Sequence, residues 1–353
     1  MDFLFEYLMF LAQAVTIVVA LLIIISSIGG MSSRSQMRGD RGRLSVQKVN
    51  DLIKDLRYAL EANTMDPSQV KKARKKEQKE ESKKQKQIAK ELKKKPKQDS
   101  EEQQDQQKKA FVIQFDGDVK ASALDNLRLE ITAVLTMAGE QDEVVICLES
   151  PGGMVHSYGL AASQLARIKS KGIPLTVVVD KVAASGGYLM ASVADKILSA
   201  PFALIGSIGV VAQIPNVHKL LKKNDVDVEL LTAGKYKRTL SVFGENTEEG
   251  REKFKEELED VHLLFQEFVS DNRPGLDIDQ IATGEAWYGK RALELKLVDA
   301  LLTSDQYLSD LCEEREVYQV EWEEMKSPVD KILGKVNGTL DRFSNLLDGV
   351  FKQ

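Results

Sequence analysis

Apolar positions change their spacing along this chain, and each spacing predicts a different element. Tyr7 to Ile28 holds no charged residue and is built mostly from Leu, Ile, Val and Ala. A run of this kind crosses a bilayer, which takes about 20 residues. Glu6 is the last charge before it and Arg34 the first after it. The N-terminus carries Asp2 and Glu6 rather than a basic region, so the run predicts a retained anchor and not a cleaved signal peptide. Arg34, Arg38, Arg41 and Arg43 follow, a bias that puts the rest of the chain in the cytoplasm. Val49, Leu52, Ile53, Leu56 and Leu60 then recur at helical spacing and predict a short amphipathic helix broken at Asp66-Pro67.

Beyond a basic tract from Lys71 to Lys97 and a polar stretch from Glu101 to Gln107, the pattern becomes that of a folded domain, beginning near Phe111. Phe111–Phe115 reads as a strand. Leu124, Leu127, Ile131 and Leu135 mark a helix with Ser122 and Asp125 as a capping pair. Val144–Leu148 is a buried strand, Ser150-Pro151-Gly152-Gly153 a turn, and a helix runs from there to about Lys169. Leu175–Val179 and Lys196–Ser199 are further strands. Strands alternating with helices predict an α/β fold with a mainly parallel sheet. Ile197–Ile214 is nearly free of charge, but Pro201, Gly206, Ser207, Gly209 and Pro215 predict buried short strands and loops there, not a second span. Glu248–Val269 is a long amphipathic helix. Another follows Trp287-Tyr288-Gly289 and ends near Leu297-Val298-Asp299. The chain thus divides into an anchor (1–34, span about 7–28), an amphipathic helix and polybasic spacer (35–110), a folded domain (111–325) and a weakly helical tail (326–353).

Composition adds little beyond limits. A chain of 353 residues buries a sizeable core. The net charge of −5 conceals the basic tract, which is read as a solvated spacer with lipid contact as the second reading. No aromatic residue is interleaved with its lysines, so the tract gives no support for nucleic-acid binding. Cys147 and Cys312 are too few for a disulfide framework or a zinc spacing, and Cys147 lies in an apolar strand as a buried thiol. His156, His218 and His262 are scattered, so the chain predicts neither a metal site nor a cofactor site.

The candidate chemistry lies in the stretch Val177–Tyr188. It reads as a buried strand, a sharp turn, and a helix opening at Ser185. Gly186 and Gly187 let the backbone approach another chain closely. A serine there sits where spare helix N–H groups hold an oxyanion, although a serine N-cap is the plainer reading. A nucleophilic serine needs a base. The candidates are His218 and a desolvated lysine from Gly234-Lys235-Tyr236-Lys237.

In order, Ser150-Pro151-Gly152-Gly153, Ala184-Ser185-Gly186-Gly187-Tyr188, Gly206-Ser207-Ile208-Gly209 and Gly234-Lys235-Tyr236-Lys237 resemble the signal peptide peptidase A family of serine–lysine peptidases. The resemblance runs from Phe111 to Asp299. With the N-terminal span and the basic spacer, it is to the short, single-copy, inner-membrane members of that family. It implies a crotonase-like, ClpP-like core of repeated β–β–α units, with Ser185 as nucleophile and Lys237 as general base. Ser207 would hydrogen-bond the lysine amine, and the amides of Gly186 and Gly153 would form the oxyanion hole. Lys235 does not match the base position and is read as a surface residue. The resemblance further implies peptide or unfolded-protein substrates, no cofactor, and a homo-oligomer. It favours a periplasmic domain where the charge bias favours the cytoplasm. Two other readings are a non-peptidase enzyme on the same fold, such as an acyl-CoA hydratase, and a non-catalytic membrane scaffold.

Overall fold

Phe111, Ile113 and Phe115 point to one side of a strand while Ala110 and Val112 point to the other, and both sides are buried. Period-two alternation with apolar residues on both faces is what a parallel sheet between two helical layers requires. The computed structural model describes residues 42–72 and 108–324, together with positions 16, 74–76, 79 and 83. Leu44–Trp322 forms one compact unit; of the second unit, made from the two chain ends, the described part includes the ion pair Arg43–Glu323 at 2.7 Å. The expected span at Tyr7–Ile28, the basic tract beyond Lys83 and the tail after Ser327 lie outside the described residues. No described helix is long and apolar enough to cross a membrane.

The described strands are β1 (Gly42–Lys48), β2 (Lys109–Asp116), β3 (Glu143–Glu149), β4 (Leu175–Val179), β5 (Val182–Ala184), β6 (Lys196–Ser199), β7 (Leu204–Gly206), β8 (Ala286–Tyr288), β9 (Ala300–Leu301) and β10 (Glu316–Glu324). They form a seven-stranded sheet in the order β1-β10-β2-β3-β4-β6-β9, parallel from β10 through β9. A smaller sheet, β5-β7-β8, pairs β5 with β7 in parallel and β7 with β8 antiparallel. Helices among the described residues include α1 (Val49–Thr64), α2 (Leu124–Val134), α3 (Val155–Lys169), α4 (Gly186–Ser192), α5 (His218–Lys223), α6 (Glu248–Asn272), α7 (Ile278–Ile281), α8 (Gly289–Glu294) and α9 (Ser304–Glu314).

One face of the main sheet is covered by α2, α3 and α4, which bury Leu127, Ile131, Tyr158, Leu165, Ile168 and Met190 against Ile113, Ile146 and Val177. The other face packs Ala110, Val112, Val145, Val178 and Leu198 against Leu311 of α9 and Val49 of α1. At about 25 cal/mol per Å² of apolar surface, these two layers are the main source of stability. β4, β5 and α4 follow one another directly, so the chain runs strand, strand, helix into Ser185.

The pattern located most of these elements to within two residues, with some differences. The sheet takes in β1 and β10, which lie outside the recognisable apolar alternation. Their burial is partial, so their sequences carry a weak period. The segment before Phe111 therefore reaches the fold, through β1 and α1. Asn50 of α1 fastens it: its amide donates to the carbonyls of Cys312 and Arg315, both at 3.0 Å, and its Oδ1 accepts the Val317 N–H at 2.8 Å. The expected capping pair at Ser122 and Asp125 is not formed. α2 starts after Ala123 with no side-chain cap, and Ser122 bonds instead to Asp118, whose carboxylate folds the preceding turn. Short-range competition of this kind is common for Ser and Asp. Within Ile197–Ile214, Ile197–Ser199, Ala203 and Ile205 are buried as expected, but Phe202 is 84% and Val211 91% exposed. Cys147 and Cys312 are free, and burial pushes the Cys147 thiol up to about 12, with Asp180, Asp305 and Asp116 adding to the effect.

The end of α6 is tied to the sheet by Arg273, which forks onto Asp299 at 2.7 and 2.9 Å, while Asp299 also accepts the Ile197 N–H at 2.7 Å. Burial by itself would raise the Asp299 carboxyl; the hydrogen bonds from Arg273 and Ile197 outweigh it and hold the group below its ordinary value. Its stabilising contribution is therefore present above the unfolded-state value of about 3.9 and is lost as pH falls through the lower folded value. Asp299→Asn should lower the urea midpoint at pH 7, and the difference from wild type should close below about pH 4. A pH-independent difference would show that the carboxylate charge is not what matters. Asn50→Ala should cost about 1–3 kcal/mol in the same assay, because it strands three backbone groups. It should also open the 42–64 segment to limited proteolysis.

Candidate active site

Ser185 leaves the end of β5 at a backbone angle that side chains rarely adopt, φ 51° and ψ −119°. Such a conformation costs on the order of 1–3 kcal/mol and persists only where the surroundings over-determine it. Here they do. Ala184 pairs with Gly206 across β5 and β7, and the Ser185 N–H donates to the Gly206 carbonyl at 2.7 Å. The Ser185 carbonyl in turn accepts the Leu189 N–H at 2.9 Å as α4 begins. The two glycines that follow are fixed by lack of space. A Cβ on Gly186 would lie 2.4 Å from Cγ of Tyr158, and one on Gly187 would lie 2.5 Å from the Ser150 carbonyl oxygen.

Ser207 leaves β7 beside it at φ 53°, so two serines with left-handed backbones stand at the ends of adjacent parallel strands. The Ser207 N–H donates to the Glu285 carbonyl at 2.6 Å and its hydroxyl to the Gly284 carbonyl at 3.3 Å. The turn after β3 closes the third side. Gly152 (φ 87°) is buried so tightly that a Cβ there would lie 2.6 Å from the Gly186 nitrogen and 2.7 Å from Cβ of Ser185. Its N–H donates to the Ser150 hydroxyl at 3.1 Å. The N–H groups of Gly153 and Gly186 have no acceptor among the described residues, and Gly153 is exposed. The Ser185 hydroxyl likewise has no hydrogen bond among them. The two serines thus follow adjacent strand ends, with buried Gly186 packed against Gly152.

The basic residues are placed differently. Lys237 is exposed in an irregular segment after Gly234, with its N–H on the Gly234 carbonyl at 3.2 Å. Among the described residues, no hydrogen bond or ion pair joins its amine to Ser185 or Ser207. Lys235 pairs with Glu249 at 2.8 Å and lies over the Tyr236 ring at 4.9 Å, a surface arrangement whose hydrogen bond to Glu249 raises its pKa. No histidine reaches Ser185: His156 is exposed, His218 begins α5, and the His262 ring contacts Gln266. Among the described residues no group of three or more His, Cys, Asp or Glu could hold a metal ion. Gly152 packs against Ser185 and Gly186, Ser207 follows the strand paired with the one that ends at Ser185, and Lys237 lies in the exposed segment after Gly234. Sequence reasoning named Gly152 only as part of the turn, and it missed Tyr158 and the Gly284-Glu285 carbonyls, which contact Gly186 and Ser207 respectively. Tyr158 in particular reads in sequence as an ordinary core residue of α3.

The α/β sheet ends in the strained turn at Ser185, and likeness to known proteins gives the class. Residues 2–165 match the model of the peptidase family S49 N-terminal region, and residues 167–318 match that of peptidase family S49. The chain belongs to peptidase family S49. The boundary between the two models falls within α3, and the sheet runs across it. Haemophilus influenzae has a relative named "Probable protease SohB", 61% identical over 64% of this chain and 64% of its own length. A Buchnera aphidicola relative named "Putative protease SohB" is 43% identical over 87% of both chains. The alignment to the first of these spans just under two-thirds of that protein.

Gly187→Ala should destabilise the fold by about 1–3 kcal/mol in urea denaturation, because the new methyl meets backbone. Gly159→Ala in α3, which has nothing within 4 Å of the added Cβ, should instead gain about 0.5–1 kcal/mol from helix propensity. Equal effects at both positions would contradict the packing described around Ser185.

Proposed function

We propose that this chain is a membrane-anchored serine endopeptidase that works through a Ser185–Lys237 dyad on a crotonase-like, ClpP-like core. The observation that carries the reading is the strained, unbonded Ser185 beside the free amides of Gly186 and Gly153. Family membership supports peptide-bond hydrolysis, and the relatives named as proteases support the same reaction class.

In this reading neutral Lys237 takes the Ser185 proton as the hydroxyl attacks a peptide carbonyl. The amides of Gly186 and Gly153 hold the oxyanion, and Ser207 orients the amine. Lys237 then protonates the leaving nitrogen, and water releases the acyl-enzyme by the same route. The amine must be brought to Ser185 and desolvated, which an assembly of several copies would achieve by covering the segment that carries it. Exposed Val211, Leu231, Tyr236 and Phe243 support such a covered surface. The substrates in this reading are peptides or unfolded protein segments at the bacterial inner membrane, with Tyr7–Ile28 as the anchor.

A fluorophosphonate should label Ser185 and no other serine, and Ser185→Ala should abolish both labelling and casein cleavage. Lys237→Ala and Lys237→Arg should both be inactive, since a guanidinium stays protonated. Lys235→Ala and His218→Ala should keep most activity. The rate should rise with pH, because only the deprotonated amine serves as base. Cleavage that survives in Lys237→Ala but not in His218→Ala would replace the dyad with a histidine mechanism. Absence of labelling in wild type would remove the peptidase reading itself.

A further inference from the structure

Beneath the turn that carries Gly153 lies a buried hydroxyl pair that the dyad does not use. Ser150 and Tyr158 have no solvent exposure, and their oxygens are 2.6 Å apart. The Tyr158 hydroxyl donates to the Asp118 carbonyl at 2.7 Å. The Ser150 hydroxyl must then donate to Tyr158, which leaves its lone pair to accept the Gly152 N–H at 3.1 Å. The bonds run in one direction, from the Gly152 amide through Ser150 and Tyr158 to the carbonyl of Asp118, with every proton in use.

The chain of bonds is held at both ends. Ser150 is fixed by its own N–H on the Val182 carbonyl at 2.8 Å and by its carbonyl, which accepts the Ala184 N–H at 3.0 Å. At the far end, Met154 donates to the Val119 carbonyl at 2.8 Å, and a Cβ on Gly153 would lie 2.1 Å from that same oxygen. Asp118 and Val119 are neighbours, so the loop that anchors Tyr158 is also the loop that Gly153 rests on. Gly117 packs on both hydroxyls, where an added Cβ would lie 2.5 Å from each. The ring of Tyr158 meanwhile forces glycine at position 186.

We infer that Ser150 and Tyr158 are positioning residues for the oxyanion hole: they consume the Gly152 amide and hold the next peptide so that the Gly153 N–H faces Ser185. This rests on the serine mechanism proposed above. Removing the Ser150 hydroxyl strands a buried Gly152 N–H, which then competes for the orientation of the turn. Loss of one oxyanion donor typically costs about 10²–10³ in turnover, and a misaligned donor costs less.

The test uses the full chain in detergent, with fluorescent casein as substrate and a peptide aldehyde compared with the matching peptide alcohol as inhibitors. Ser150→Ala should lower kcat by about 10–100-fold with KM changed by less than about twofold. It should weaken the aldehyde, whose adduct carries an oxyanion, by a similar factor and leave the alcohol unchanged. Tyr158→Phe conserves volume and keeps the ring against Gly186, so it should show the same split at about 3–10-fold, since it acts one bond farther away. Unchanged kcat in both variants, or equal weakening of aldehyde and alcohol, would overturn the positioning role. So would a loss of activity that tracks a lowered melting temperature in Tyr158→Phe. If the variants match a wild type that labels at Ser185, the positioning role alone falls. If wild type neither labels nor cleaves, the proposed function falls and takes this role with it.

Discussion

The backbone of Ser185 is the constraint on which the rest of the site depends. A serine at φ 51° is stable only because the parallel pairing of β5 with β7 fixes its amide, and because Gly186 and Gly187 let α4 start against Tyr158 and Ser150. The same pairing sets Ser207 beside it, and the same packing brings Gly152 against the Gly186 nitrogen. Ser185, the start of α4 and Ser207 are therefore placed together by the β5–β7 pairing, while Gly152 comes from the separate turn after β3. The turn at Ser185 is delivered by β4, whose five residues are all buried at the centre of the sheet.

The site has a rigid part and an open part. The rigid part is made of strand ends and glycine contacts deep in the domain. The open part is the irregular, apolar and exposed segment that carries Lys237. A desolvated lysine is a costly group to maintain. In the single chain the Lys237 amine stays in water and does not bear that cost. Lys235, in the same segment, is held on the surface by Glu249 and Tyr236.

On the far side of the sheet, α1 is joined to the domain through Asn50 and Val49, while Leu52, Leu56 and Leu60 remain exposed. The segment that follows the expected span is thus fastened beside the last strand of the domain. This segment meets the sheet through β1 and β10. Those strands lie at the opposite edge of the main sheet from β6 and β9.

The sequence by itself determined the alternation of strands and helices and the glycine-flanked turn at Ser185. Local spacing is sufficient for these, because two-sided burial of β2, β3 and β4 and the helical period of α3 and α6 are written directly in the order of apolar residues. The motifs singled out Ser185, Gly186 and Ser207, which the structure places at the ends of β5 and β7 and the start of α4. Tertiary structure alone decided that β1 and β10 join the sheet, since edge strands are half-exposed and carry a weak period. It alone decided that Asp118 rather than Asp125 engages Ser122, a choice between near neighbours that spacing cannot rank. It also decided that Tyr158, a core residue of α3, packs against Gly186 and bonds to the Asp118 carbonyl, because those contacts join residues far apart in the chain. The exposure of Lys237 belongs to the same class: whether a lysine is wet or dry depends on what covers it, and nothing in its immediate neighbours encodes that.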